Sequence, residues 1–176
     1  MKKLINIIMI SVLISGASKA NNNKFYPSRL TDNSGLVYIG YEINHDQVTT
    51  YLKDMQELLG EKKFKIFREN QIKRDHGSFH ITLINPFEYS DVKNIDVSKL
   101  PSASFSFKGL GHGRKLEDNT YFIVVSSNEA QKVRQIFSLK EKDFHITLGF
   151  DTKDVFGIDK SIKSLVQPLR SESLRP

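Results

Sequence analysis

One five-residue string, Phe-His-Ile-Thr-Leu, occurs twice, at Phe79–Leu83 and at Phe144–Leu148. Average residue usage gives an identical pentapeptide roughly one chance in a hundred in a chain this long, so the repeat is read as a constraint on the fold. The string is rich in strand formers, and side chains alternate between the two faces of a β-strand. His80 and Thr82 therefore share one face, with Ile81 and Leu83 on the other. His145 and Thr147 stand in the same way against Ile146 and Leu148. Each copy is half apolar anchor and half polar site. Two copies turned toward each other bring two imidazoles and two hydroxyls around one cleft.

The flanking segments follow a common plan. Leu36–Ile43 predicts a strand. Asn44–Asp46 supplies N-cap residues and puts His45 at a helix start. Val48, Leu52, Met55, Leu58 and Leu59 then recur at helical spacing, which predicts a helix over Gln47–Leu59 closed by Gly60. Phe64, Ile66 and Phe67 predict a second strand, the charged stretch Arg68–Gly77 a loop, and Ser78–Ile84 the first motif strand, ended by Asn85-Pro86. In the second half, Phe105 and Phe107 alternate with polar residues and predict a strand. Gly109–Gly113 reads as a glycine-rich turn with His112 in it, Thr120–Ser126 as the strongest strand, Glu129–Leu139 as a helix and Phe144–Phe150 as the second motif strand. Asp151–Gly157 reads as a loop and Ile158–Val166 as a short strand or helix. Each half reads strand, helix, motif strand: an α+β pattern with an internal, highly diverged duplication.

The chain opens Met1-Lys2-Lys3, continues almost wholly apolar through Leu4–Ile14, and closes this segment with Ser18-Lys19-Ala20, which fits a signal peptidase site. The apolar stretch is shorter than the ~20 residues of a membrane-spanning helix. Residues 1–20 are read as a cleaved secretory signal, 21–34 as a mobile lead-in holding Pro27, 35–169 as a single domain and 170–176 as a frayed tail. A secreted or periplasmic protein with no membrane attachment after cleavage is expected, and a monomer. Lys2, Lys3 and Lys19 supply half of the net charge of +6 and residues 1–20 hold no acid, so the remainder is only mildly basic. That suits an anionic substrate and does not indicate a protein that coats nucleic acid. With no cysteine there is no disulfide, thiolate metal site or acylated anchor, and stability rests on the core.

Histidine gives and takes protons near neutral pH. Of two imidazoles flanking a phosphodiester, a neutral one takes a proton from water or a ribose hydroxyl while a protonated one donates to the leaving oxygen. Threonine hydroxyls hold the non-bridging oxygens and stabilise the charge of five-coordinate phosphorus. This chemistry calls for no metal or other cofactor. A zinc site from His76, His80 and His145 lacks the usual ligand grouping.

The paired His-Ile-Thr-Leu tetrads resemble the signature of the two-histidine (2H) phosphoesterase superfamily, which includes RNA 2',3'-cyclic phosphodiesterases and plant cyclic nucleotide phosphodiesterases. The runs His80-Ile-Thr-Leu-Ile-Asn-Pro-Phe-Glu-Tyr89 and His145-Ile-Thr-Leu-Gly-Phe150, followed by Asp154-Val155, resemble its Swiss Army Knife, RNA-repair-like branch. The resemblance covers roughly residues 35–166. It implies a two-lobed fold with pseudo-twofold symmetry and a central groove, catalytic His80 and His145, and phosphate-binding Thr82 and Thr147. The implied substrates are RNA ends or small nucleotides carrying a cyclic phosphate or a 2'-5' or 3'-5' phosphodiester. The alternative is a non-catalytic binder of nucleotides or other phosphoryl ligands with the same groove.

Further candidates come from residue type alone. Tyr38, Tyr41 and Tyr121 suit stacking on a base, or packing. Lys73, Arg74, Arg114 and Lys115 suit phosphate contacts, or solvated loop charge. Glu88 and Asp143 flank the motifs and are candidates to orient an imidazole.

Overall fold

The computed structural model describes residues 23–92 and 95–166. The expected signal segment 1–20 and the tail 170–176 lie outside them. Six strands form two three-stranded antiparallel sheets. The first pairs β1 (Pro27–Thr31), β2 (Val37–Ile43) and β3 (Phe79–Ile84) in that order; the second pairs β4 (Ser106–Lys115), β5 (Asp118–Ser126) and β6 (Phe144–Phe150). The two motif strands, β3 and β6, are the last strands of their sheets and lie against each other. Helix α1 (His45–Asp75) connects β2 to β3, α2 (Pro86–Asp91) follows β3, and α3 (Asn128–Ile136) connects β5 to β6. The sequence order strand, helix, motif strand is thus present in both halves. Among the described residues no helix is long and apolar enough to cross a membrane.

One core joins the sheets. Ile39, Tyr41 and Ile43 from β2, Ile81 and Leu83 from β3, Ile123 and Val125 from β5, and Ile146 and Leu148 from β6 are buried in it together with Val48, Leu52 and Met55 of α1. The apolar half of each motif is the part that builds this core. Four residues on each motif strand follow strict alternation, and then both strands slip at the same place. Ile39 faces Ile84 while Gly40 faces Thr82, so Leu83 is the extra residue of a β-bulge. Tyr121 faces Gly149 while Phe122 faces Thr147, so Leu148 is the extra residue of the other. A bulge breaks the ladder locally and re-aims the residues beside it. Each bulged backbone is held by an arginine. The Leu83 carbonyl accepts from Arg134 Nη1 at 2.5 Å, and the Leu148 carbonyl accepts from Arg68 Nη1. Arg134 comes from α3, the helix that leads into β6, and Arg68 from α1, the helix that leads into β3. Each helix therefore braces the motif strand of the other half.

Three expectations are corrected. Residues 61–75 are helical, where a strand at Phe64–Phe67 and a loop at Arg68–Gly77 were predicted; Gly60 (φ 70°) kinks the chain, and α1 resumes beyond it. The buried stripe of this second half is Phe67, Gln71 and Asp75, spaced four apart, so two of its three inward positions are polar and hydrophobic periodicity cannot show it. The lead-in is not free: Pro27–Thr31 pairs with β2. Proline fits the first residue of an edge strand, where no donor is needed. The glycine run Gly109–Gly113, with His112, is strand β4 and not a turn. A Cβ at Gly113 would lie 2.0 Å from Ile158 Cδ1 and one at Gly111 2.5 Å from Phe122 Cε2, so these glycines make room for side chains crossing the sheet.

Candidate active site

Both motif histidines look away from the core, on the polar faces of β3 and β6. The polar network beside them centres on one carboxylate. Asp154, in the loop after β6, is buried and takes contacts from all sides. Thr120 donates to Oδ1 at 3.0 Å, Thr147 lies 3.5 Å from Oδ2, Arg74 pairs with Oδ2, and Lys160 Nζ stands 3.7 Å from Oδ1. Its own Oδ1 also accepts from the Val155 N–H at 2.8 Å. Burial pushes the Asp154 carboxyl upward, but the charges of Lys160 and Arg74 outweigh that and hold it below the usual carboxylate range. The field of the same carboxylate raises the basicity of both His80 and His145.

The two imidazoles differ in their surroundings. The ring of His145 is fixed at both nitrogens: Nδ1 lies 3.2 Å from the Asp143 carbonyl, and Nε2 lies 3.1 Å from Lys160 Nζ. A backbone carbonyl can only accept and an ammonium can only donate. The ring is thereby set as the Nδ1–H tautomer with its Nε2 lone pair toward Lys160. Burial, then the neighbouring ammonium, push His145 well down from its ordinary value. Phe122 meets the ring edge-on at 5.7 Å and also lies under the Lys160 ammonium at 5.4 Å. His80 is different. Its Nδ1 is buried with no hydrogen-bond partner among the described residues. The Tyr38 ring leans on it with centroids 5.1 Å apart. Burial lowers its pKa, opposed chiefly by Asp75.

Behind the histidines lies a buried ionic relay. Arg74 Nε and Nη2 grip both Asp75 oxygens at 2.8 and 2.7 Å while Nη1 reaches Asp154. Gln71 donates to Asp75 at 2.9 Å and to the Ser78 carbonyl at 2.8 Å. Burial works against the charge of Arg74, yet its hydrogen bonds and the two carboxylates raise its pKa on balance. The second half of α1 supplies this relay, and its polar buried stripe exists for that reason.

The other sequence candidates separate. Tyr38 sits at the site, against His80. Arg74 is beside it, with its guanidinium committed to Asp75 and Asp154. Tyr121 is stacked on His112 at 4.6 Å and meets Phe67 edge-on at 5.8 Å, a packing role. Tyr41 is fully buried against Phe105, inside the core. Arg114 spends its guanidinium on the Leu116 carbonyl and Glu117 in its own hairpin. Glu88 orients no imidazole; it binds Arg134 at 2.7 and 3.1 Å. Asp143 does orient His145, through its carbonyl rather than its carboxylate. The Thr147 hydroxyl lies beside Asp154, and Thr82 is half-buried on the His80 face. Sequence reasoning missed Lys160 and the part played by Asp154. Both lie in an irregular loop, where no periodicity marks a buried charge.

An open cavity of about 670 Å³ adjoins the relay. Arg74 and Asp154 line it, with Lys73, Lys115, Lys153 and Phe156; neither histidine does. It is a flank of the site and not its centre. Among the described residues no group of three or more histidine and acidic side chains is placed to hold a metal ion.

The arrangement offers a neutral imidazole with a fixed lone pair, a second imidazole near carboxylates, two hydroxyls and an ammonium. Such a set can move protons and bind an anion. A family model described as Swiss Army Knife, 2H phosphoesterase domain matches residues 44–156. No curated protein and no solved structure matches the chain.

Proposed function

From the premise that this chain belongs to the Swiss Army Knife family of 2H phosphoesterase domains, we propose that it hydrolyses 2',3'-cyclic phosphates, or 2'-5' or 3'-5' phosphodiesters, of RNA ends or small nucleotides. The observation that carries the reading is the packing of the two motif strands against each other. Asp154 is in contact with Thr147 and with Lys160, the partner of His145, and its charge favours protonation of both His80 and His145. This supports one site built from both motifs. Burial depresses both imidazoles, so the roles are assigned from their partners rather than from opposite shifts. His145, with its fixed tautomer and depressed pKa, is assigned as base. His80, held near Asp75 and Asp154, is assigned as acid.

In this mechanism His145 Nε2 takes a proton from water as the water oxygen bonds to phosphorus. The bond from phosphorus to the ribose oxygen breaks, and that oxygen takes the proton of the His80 imidazolium. The products are a phosphomonoester and a free hydroxyl. The two rings exchange protons with solvent to reset. Thr82 and Thr147 hold the non-bridging oxygens. Positioned acid and base groups contribute typically 10²–10⁴-fold each. The lysines and Phe156 of the adjoining cavity suit the rest of a nucleotide. Export through residues 1–20 is part of the proposal, and places the substrate outside the cytosol.

One observation favours the second reading, a phosphoryl-ligand binder without turnover: the base nitrogen of His145 is already engaged by Lys160. Mass spectrometry of the purified protein incubated with a panel of cyclic and linear nucleotides, with and without EDTA, decides between them. Hydrolysis that survives EDTA is expected. Calorimetric binding of nucleotide with no product formed would establish the binder instead.

A further inference from the structure

Lys160 is only 6% exposed, and a lysine this deep is held there by its partners. Its ammonium touches two groups, Nε2 of His145 at 3.1 Å and the Asp154 carboxylate at 3.7 Å. Burial lowers its pKa and Asp154 opposes that. It lies four residues past the end of the family match at 156, so this lysine is a feature of the chain beyond that match. Its position is awkward for an idle base. The lone pair that must receive a proton is the one the ammonium covers. It is well suited, however, to a base that should be free only when substrate is present. A phosphate set against His145 and Thr147 brings anionic oxygens within reach of Nζ, and a phosphate oxygen is a stronger acceptor for an ammonium than a neutral imidazole is.

We propose that Lys160 is a phosphate ligand of this site, holding His145 Nε2 when the site is empty and releasing it to bind a non-bridging oxygen when substrate enters. The inference rests on the phosphoester reading of the site. Occupancy and availability of the base then become a single event. The groups that face His145 are Asp154 and Lys160 from the segment after β6, and the Asp143 carbonyl and Lys142 from the segment before it; Arg74 of α1 faces Lys160 and Asp154.

The test needs no turnover. The full chain, uniformly labelled with nitrogen-15, is titrated with inorganic phosphate as wild type, Lys160→Met and Lys160→Arg, following the His145 ring nitrogens by NMR and binding by calorimetry. In the wild type, phosphate is expected to move the Nε2 resonance as its ammonium partner departs. Lys160→Met should lose about tenfold or more in phosphate affinity, the worth of one charge-assisted hydrogen bond, and its His145 should titrate at higher pH because a like charge is gone. Lys160→Arg should keep most of the affinity. If phosphate leaves the wild-type Nε2 resonance unmoved, or binds Lys160→Met as tightly as wild type, the proposal is overturned. Should Lys160→Met fail to fold, the wild-type titration and Lys160→Arg still decide it. Lysine-dependent phosphate binding in a protein that turns over no nucleotide would retain this inference and sink the catalytic reading.

Discussion

At the scale of single residues, His145 carries the clearest consequence. Its ordinary pKa of 6.5 is pushed down to about 3 in the folded chain. Between those values the unfolded chain binds a proton that the native protein refuses. The stability that His145 contributes is therefore whole above about pH 6.5 and drains away as the pH falls toward about 3. His80, also depressed, acts in the same direction. Urea midpoints should fall steadily from pH 7 to pH 4.5, and a flat profile over that range would contradict the depressed imidazoles. At this scale the sequence speaks wherever a repeat amplifies the signal. His80, Thr82, His145 and Thr147 stood out because a five-residue string recurs, and alternation placed each His-Thr pair on a polar strand face. Lys160 had no such amplifier. A lone lysine in a loop is ordinarily solvent-exposed, and only three-dimensional closure of residues 151–161 over Phe122 reveals that this one is buried.

At the scale of elements, the two matched bulges and their arginines explain why the motif extends beyond histidine and threonine. Leu83 and Leu148 are fully buried extra residues, and each leaves a disrupted ladder beside the threonine of its motif. Arg134, itself 1% exposed, closes one bulge and is neutralised by Glu88, whose carboxyl burial raises but whose bonds to Arg134 and the Asn85 N–H pull lower. Removing one member of such a pair leaves an uncompensated buried charge. Arg134→Met or Glu88→Gln is expected to cost about 3 kcal/mol in urea unfolding; a loss under about 1 kcal/mol would place the brace among inconsequential surface pairs. None of this bracing was legible. The apolar spacing of Gln47–Leu59 announced the first half of α1, but the second half buries Gln71 and Asp75 where a pattern reader looks for leucine. Phe64 and Ile66 imitated a strand by alternating with lysine. A helix that faces a polar site inward forfeits the periodicity by which helices are recognised.

At the scale of the whole molecule, the two sheets meet at β3 and β6, and each half lends a helix to the motif strand of the other. The α+β class and the strand, helix, motif-strand order were readable because they rest on element type and sequence order. The exchange of helices was not, because it is a matter of packing between distant segments. This exchange gives the fold its functional logic. Each motif strand takes an arginine contact from a helix of the other half, so the candidate site draws on both halves. Histidines serving one turnover should therefore fail together. Groups that act as a unit show grossly non-additive losses, the double variant being no worse than the single one.

The most direct measurement is the cycle of kcat/KM for wild type, His80→Ala, His145→Ala and the double variant on whichever cyclic phosphate turns over. Each single substitution should lower kcat/KM by a factor of about 10² or more, with the double variant no slower than the slower single. Losses that multiply, or a single variant as active as the wild type, would contradict a site in which both imidazoles work on one phosphorus.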